Sequence, residues 1–259
     1  MHFEISTFLT LFFSAIAIGG LASLLGVGGG IFMVPLLLLG RFVPTMHQAT
    51  GTSIAGVVFT SLSGTIVYWL RRAINFRVGL VIMPLAILGA WTGAWLSGLI
   101  EARWLEIGFA ALLLYPAGMM LLGKQPKEIP FSLGGDVRGG RFYATTVIVG
   151  IIAGAASGMF GIGGGTVMVP ALAVFLGLDI VTAVATSLFV MIPSAMIGSY
   201  QHWAQGDLRP ELAIPLILGL IIGAQLGPRL GSRVSKRRLR QLFGVVLVYA
   251  IVNMLLKAI

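Results

Sequence analysis

Long apolar segments restrict the folds open to this chain more than any other feature. Eight of them extend over about 20 residues each, the length at which a helix crosses a hydrocarbon core of about 30 Å. Two further apolar segments, 31–40 and 166–177, are too short to cross alone. The sequence predicts the eight long helices over residues 5–25, 48–70, 78–98, 103–122, 142–160, 180–203, 210–228 and 239–257.

The composition argues against a soluble protein. The residues AVILMFWYC make up 58% of the 259 positions, and charged residues make up only 10%. Soluble domains average about 45–50% apolar and about 25% charged residues. The net charge of +9 comes from short loops between apolar segments, which indicates membrane topology rather than nucleic-acid binding. We therefore expect an all-α integral membrane protein with about 8–10 membrane segments.

The two halves of the chain are related by an internal repeat. The decapeptide GVGGGIFMVP at 26–35 recurs as GIGGGTVMVP at 161–170, at an offset of 135. Further along the chain the offset becomes 134, at which Thr52 matches Thr186. A single change of offset over more than a hundred residues indicates a duplication. The predicted organisation is a first repeat, a polar cytoplasmic linker and a second repeat, at 1–123, 124–141 and 142–259.

Equivalent loops of the two repeats carry opposite charge. Loop 71–77 sums to +3, whereas its counterpart 205–211 sums to −1. Loop 101–106 sums to −1, whereas its counterpart 229–240 sums to +6. Because loops rich in Lys and Arg stay cytoplasmic, we predict two inverted-topology repeats with both termini in the periplasm. Each repeat then consists of a Gly-rich broken or re-entrant helical hairpin followed by three transmembrane helices.

The two Gly-rich turns are the predicted substrate site. Glycine costs about 1 kcal/mol relative to alanine inside a helix, and each turn directly precedes one of the short helices. The first N–H groups of a helix have no partner within it and form a ready anion site. We expect the inverted symmetry to bring the two turns together near the membrane midplane. The predicted substrate-binding glycines are Gly28, Gly29, Gly30, Gly163, Gly164 and Gly165.

Polar side chains that open the following helices are further candidate donors to an anion. The alternative is that their hydroxyls bond to the preceding turn of their own helix. Histidines 47 and 202 are expected at a loop or an interface. The candidate donors are Gln48, Thr50, Thr52, Ser53, Thr186 and Ser187, and helix packing explains Gly19, Gly89, Gly93, Gly223 and Gly227.

Other classes of function find little support in the sequence. The chain has no cysteine and three scattered histidines, so we expect neither a metal site nor a cofactor. No nucleophile stands with a base, so an enzyme is not expected. An anion channel built on the same helix dipoles is the main alternative to a transporter, and a non-transporting scaffold is a weaker one.

The paired motifs, with the segment HQATGTS at 47–53 and its weaker echo AVATS at 183–187, resemble the TauE/SafE-type sulfite exporter (TSUP) family over essentially the whole chain. The resemblance implies transport of sulfite, thiosulfate, sulfoacetate or another sulfonate across the bacterial inner membrane, with a small carboxylate as the alternative. The expected partners are this small anion and the lipid bilayer. A homo-oligomer, the direction of transport and a coupling ion stay open. The echo lacks the His and the middle Gly, so the two half-sites need not be equivalent.

Overall fold

Ten α-helices make up the described part of the chain. The computed structural model describes residues 5–121, 140–230 and 236–258, and these ranges contain no strand. The helices of the first half are α1 (Ile5–Leu25), α2 (Gly30–Leu39), α3 (Met46–Leu70), α4 (Phe76–Ser97) and α5 (Ala102–Leu121). The second half repeats this order with α6 (Gly140–Phe160), α7 (Gly165–Phe175), α8 (Ile180–Ala204), α9 (Pro210–Leu230) and α10 (Lys236–Ala258). All ten predicted segments are confirmed, with each end within three residues.

The chain is an all-α integral membrane protein. In the described part, six helices are long and apolar enough to cross a membrane, namely α1, α3, α4, α6, α8 and α9. Their outward faces carry large apolar side chains such as Leu62, Trp91 and Ile148, which are 44%, 46% and 58% exposed. Such a surface suits lipid rather than water. The crossings expected at α5 and α10 stay predictions, although both segments are helical.

Helix pairs recur between the halves. Helix α1 packs along α9, and its equivalent α6 packs along α4, the equivalent of α9. Both pairs bring backbone against backbone at glycine. A Cβ atom added to Gly19 would lie 2.7 Å from the carbonyl oxygen of Leu220, and one added to Gly154 would overlap the carbonyl oxygen of Ala86. Similar contacts confirm the packing role predicted for Gly89, Gly93, Gly223 and Gly227.

The equivalent helices α3 and α8 pack against each other in opposite directions. Near the end of α3, Gly64 faces Leu188, which lies early in α8. Near the beginning of α3, Ile54 faces Gly198, which lies late in α8. Inverted repeats require this antiparallel arrangement of equivalent helices. The division into domains and the side that faces the cytoplasm stay predictions. The predicted linker 124–141 lies outside the described residues except for its last two positions.

Candidate functional site

Each Gly-rich turn joins a long helix to a short one through left-handed backbone. Three glycines in each turn have φ between +67° and +91°, a region that side chains of L-residues rarely adopt. The turn geometry by itself therefore requires glycine at these positions. They are Gly26, Gly28 and Gly29 in the α1–α2 turn, and Gly161, Gly163 and Gly164 in the α6–α7 turn.

The two turns pack directly on each other. A Cβ atom added to Gly30 would overlap the carbonyl oxygen of Gly161, and one added to Gly165 would overlap the carbonyl oxygen of Gly26. These are equivalent contacts in the two halves. The structure thus brings the two predicted sets of glycines together, and it assigns Gly30 and Gly165 a packing role that needs no ligand.

The centre of this contact lies between α3 and α8. Gly28 and Gly163 both face the side chains of Val57 and Met191, which are equivalent positions on these two helices. A Cβ atom on Gly163 would be 3.6 Å from the Cα atom of Gly28. The Gly-rich turns therefore meet where the two halves of the protein cross.

The short helices begin at this contact with free N–H groups. Gly29 and Gly164 are the N-cap residues, and neither has a side-chain hydrogen bond at the cap. The Gly164 carbonyl accepts from the N–H groups of Val167 and Met168 at 3.1 and 2.9 Å. In the described part of the chain, the N–H groups of Gly165 and Thr166 have no acceptor. Such a helix start favours a bound anion.

Two of the predicted hydroxyls hold the turns in place. Ser53 Oγ donates to the carbonyl oxygen of Gly161 at 2.8 Å, and its equivalent Ser187 Oγ donates to that of Gly26 at 3.1 Å. Ser187 also lies 2.9 Å from the Val184 carbonyl of its own helix. Each serine thus links α3 or α8 to the turn of the opposite half, which makes it a positioning residue for the turn.

Two more predicted hydroxyls hold loops. Thr52 Oγ1 accepts from the backbone N–H of Arg209 at 3.2 Å, and Thr186 Oγ1 accepts from that of Asn75 at 3.0 Å. Asn75 and Arg209 are equivalent positions in the α3–α4 and α8–α9 loops. Both threonines are fully buried, and these bonds use an acceptor site of each hydroxyl and position the loop.

Gln48 and Thr50 differ from this pattern. Gln48 is half-buried in the first turn of α3, where its backbone N–H donates to the cap residue Thr45 at 3.4 Å. Thr50 is fully buried, and its Oγ1 has no hydrogen-bond partner among the described residues. Its Cα atom lies 3.0 Å from the position of a Cβ atom on Gly161. Among the predicted hydroxyls, that of Thr50 therefore makes no hydrogen bond to a described residue, and Thr50 lies beside a turn.

The structure adds two residues that the sequence reasoning missed. Ser157 is fully buried near the end of α6, Thr166 is 7% exposed in the first turn of α7, and neither hydroxyl has a described partner. The Ser157 Cβ atom lies 3.4 Å from the position of a Cβ atom on Gly164. A comparison of the two repeats could have found both residues. At the offset of 135, Ser157 corresponds to Ala22 and Thr166 to Ile31, and neither of these carries a hydroxyl.

His202 lies in the last turn of α8 rather than in a loop, and its side chain is fully buried. Its Nε2 donates to the carbonyl oxygen of Gly158 at 2.8 Å, and its Nδ1 lies 3.2 Å from Oδ2 of Asp207. The carbonyl groups in the last turn of a helix lack partners within it, and His202 satisfies one of them in α6. The equivalent Tyr68 donates to the equivalent carbonyl, that of Ser23, at 3.2 Å.

His47 is half-buried, and its Nε2 lies 3.0 Å from the carbonyl oxygens of Ser97 and Ile100 at the end of α4. These contacts join the first turn of α3 to Ser97, the last residue of α4, and to Ile100 in the loop that follows. Among the described residues, no group of three His, Cys, Asp or Glu side chains is placed to hold a metal ion.

Comparison with known proteins identifies the family. The sequence profile described as "Sulfite exporter TauE/SafE" matches residues 11–254. The probable membrane transporter protein YunE of Bacillus subtilis is 31% identical over 228 residues, which cover 82% of this chain and 84% of that protein. The probable membrane transporter protein YdhB of the same organism is 32% identical over 205 residues, with coverages of 78% and 81%. A probable membrane transporter protein of Xylella fastidiosa is 30% identical over 191 residues, with coverages of 74% and 72%. The chain is therefore a membrane transporter that belongs to the TauE/SafE family.

Proposed function

We propose that the protein is a secondary transporter, not an enzyme, that moves a small sulfur-containing or organic anion across the bacterial inner membrane. Sulfite, thiosulfate, sulfoacetate or another sulfonate is the substrate class. The observation that carries this proposal is the meeting of the two Gly-rich turns between α3 and α8, where the short helices begin with free N–H groups. The family description, a sulfite exporter, supports sulfur anions as the class.

Neutral groups bind the anion in this proposal. The N-terminus of a helix carries about half a positive elementary charge and presents N–H donors. The side chains that face the central glycines are Val57 and Met191, which are uncharged. An anion that is bound by dipoles alone makes no ion pair with a fixed positive charge, so its binding is readily reversible. It can therefore bind while the site is open to one side of the membrane and dissociate when the site opens to the other.

Alternating access follows from the proposed inverted repeats. If the halves are inverted, an exchange of their conformations turns an outward-open site into an inward-open one. The antiparallel packing of α3 on α8 supports this symmetry. The bonds from Ser53 and Ser187 link each of these helices to the opposite turn, so a movement of α3 against α8 also moves the turns.

The proposed topology places both termini in the periplasm. Loop 71–77 and the segment around Arg229 are cytoplasmic in this arrangement, because their basic side chains favour that side. Asp179, an acidic residue on the cytoplasmic side in this arrangement, is the N-cap of α8 and accepts from the N–H groups of Val181 and Thr182. Its position thus has a local cause in the helix cap.

Flux measurements on the purified protein in liposomes test the proposal. Labelled sulfite, thiosulfate, sulfoacetate, acetate or lactate is placed outside vesicles that are loaded with the same unlabelled anion. We expect saturable uptake that is accelerated by the internal anion, with the sulfur anions preferred. Flux that does not saturate and shows no counterflow would identify a channel instead. The absence of flux for all five anions would refute anion transport of this class.

A further inference from the structure

The two Gly-rich turns have the same backbone and different polar surroundings. Three buried residues whose hydroxyls have no described partner lie at the α6–α7 turn: Thr50 beside Gly161, Ser157 beside Gly164, and Thr166 in the first turn of α7. At the equivalent positions around the α1–α2 turn, the residues are Val184, Ala22 and Ile31. We propose that the transported anion binds at the α6–α7 turn alone, at the start of α7. This inference rests on the proposed transport of an anion and assigns the three hydroxyls as ligand donors.

Matching distances show that the positions are equivalent in space and in sequence. A Cβ atom on Gly161 would lie 3.0 Å from the Cα atom of Thr50, and one on Gly26 would lie 2.9 Å from the Cα atom of Val184. Thr50 and Val184 therefore occupy the same place beside their respective turns. Their side chains differ, because threonine carries a hydroxyl and valine does not.

Ser157 and Ala22 are likewise equivalent in space and differ in their side chains. A Cβ atom on Gly164 would lie 3.4 Å from the Cβ atom of Ser157, and one on Gly29 would lie 3.3 Å from that of Ala22. The hydroxyl of Ser157 is thus held beside the N-cap of α7. The corresponding space at the N-cap of α2 is lined by a methyl group.

Several buried hydroxyls in the described part of the chain donate to a carbonyl of their own helix. Thr60 and Ser61 donate to the carbonyl oxygens four residues earlier, at 3.0 and 2.7 Å, and Ser194 does the same at 3.2 Å. A buried hydroxyl that makes no hydrogen bond destabilises the folded protein, because it has lost its hydrogen bonds to water and gained none in return. Three such groups beside one helix start are explained by a ligand that accepts from them.

Thr65 lies in α3, the same helix as Thr50, and can be compared with it. It is also buried with an unpartnered Oγ1, but it follows Thr50 by fifteen residues, or about 22 Å along α3. Its hydroxyl is therefore too far from the α6–α7 turn to contact a ligand there. This position offers a matched control for the loss of a buried hydroxyl.

The number of donors indicates the class of anion. The three hydroxyls and the N–H groups of Gly165 and Thr166 make five donors around one helix start. A carboxylate offers about four lone-pair sites on two oxygens. A sulfite or sulfonate group has a third oxygen and therefore offers enough lone-pair sites for all five donors. The site is thus expected to bind sulfite or sulfoacetate more tightly than acetate.

Binding measurements on the full-length protein in detergent test the inference. The variants are Thr50→Val, Ser157→Ala and Thr166→Val, with Thr65→Val as control and sulfite and acetate as probes. Each of the three is expected to weaken sulfite binding about tenfold or more, because each removes a hydrogen bond to a charged group. Thr65→Val is expected to leave the Kd for sulfite unchanged. Without anion, all four variants should keep the wild-type Tm or exceed it, because no existing bond is lost.

The outcomes separate this inference from the proposed function. Wild-type sulfite affinity in all three variants would overturn the asymmetric site and leave anion transport intact. An equal loss in Thr65→Val would also overturn it, because the effect would then not belong to the turn. Tighter binding of acetate than of sulfite by the wild-type protein would overturn the assignment of a three-oxygen anion. Failure of the wild-type protein to bind or transport any probe would overturn the proposed function itself.

Discussion

The α1–α2 turn and the α6–α7 turn share one backbone and differ in the side chains around it. Both have three glycines at positive φ, both approach the opposite turn at backbone distance, and both accept a hydrogen bond from a serine of the opposite half. The α6–α7 turn alone has buried hydroxyls beside it that lack a described partner. The two copies thus agree in the glycines and serines that the turn backbone requires, whereas the side chains beside the turns that make no hydrogen bond differ.

The glycines show why the backbone was kept. A turn with positive φ excludes side chains by conformation, and the contact between the turns excludes them by volume. Both restrictions act equally on the two copies. The side chain at position 31 or 166 meets neither restriction, so one copy holds isoleucine and the other holds threonine.

The largest predicted loss of stability comes from adding a side chain where the two turns contact each other, and it should be equal for both turns. Gly30→Ala and Gly165→Ala each place a Cβ atom on a carbonyl oxygen of the opposite turn. We expect each to destabilise the fold by about 4–5 kcal/mol or more, at the upper end of single substitutions. The measurement is the yield and Tm of monodisperse protein in detergent. Gly118→Ala is the control, because nothing lies within 4 Å of its added Cβ atom. A wild-type Tm in either turn variant would show that the turns do not pack this closely.

The next prediction compares His202 with its equivalent Tyr68. His202→Phe removes the donor to the Gly158 carbonyl and the contact with Asp207, and we expect a loss of about 2–3 kcal/mol. Tyr68→Phe removes one bond, to the Ser23 carbonyl, and we expect about 1–2 kcal/mol. Denaturant or thermal unfolding in detergent measures both. A larger loss for Tyr68→Phe would contradict the assignment of two interactions to His202.

Smaller and nearly equal effects are expected at the serines that hold the turns. Ser53→Ala and Ser187→Ala each leave a buried turn carbonyl without its side-chain donor, at a cost of about 1–2 kcal/mol. The same unfolding measurement compares them, and Ser61→Ala serves as control because its hydroxyl bonds within its own helix. Effects that differ by more than a factor of two between Ser53 and Ser187 would show that the turns are not held equivalently.

The helices and the contact between the two Gly-rich turns could be predicted from the sequence. Apolar length sets the long helices, and the Gly-rich motif marks the end of one helix and the beginning of the next. The repeat then predicts that two such turns approach each other. These features depend on local pattern and symmetry, which a sequence contains.

The hydrogen-bond partners of the site residues could not be predicted from the sequence. Thr52 and Ser53 are neighbours in the chain, but one accepts from the Arg209 backbone and the other donates to Gly161. The burial of His202 depends on the close packing of α6 on α8 at Gly158. Such partners lie more than forty residues away in the chain and are fixed only by packing.

The smallest predicted effect is at the N-caps of α3 and α8, where the two repeats should differ in how their stability depends on pH. Asp179 is the N-cap of α8 and Thr45 is the equivalent N-cap of α3. Burial acts to raise the pKa of Asp179, but hydrogen bonds from Thr182 and Val181 outweigh it and leave the pKa below its ordinary value. A carboxylate with a lowered pKa stabilises the folded state above its ordinary pKa, and this contribution is lost as the pH falls through the lowered value.

Asp179→Ala should therefore cost about 1 kcal/mol near pH 7 and less near pH 3, whereas the smaller cost of Thr45→Ala should not change with pH. The Tm difference from wild type at the two pH values measures this in detergent. Thr45 supplies the control for general acid effects, because its hydroxyl does not titrate in this range. An Asp179→Ala cost that stays constant down to pH 3 would show that the cap does not depend on the charged carboxylate. The two central helices would then begin through the same neutral chemistry, and the difference between the repeats would be confined to the residues around the turns and to the pair formed by Tyr68 and His202.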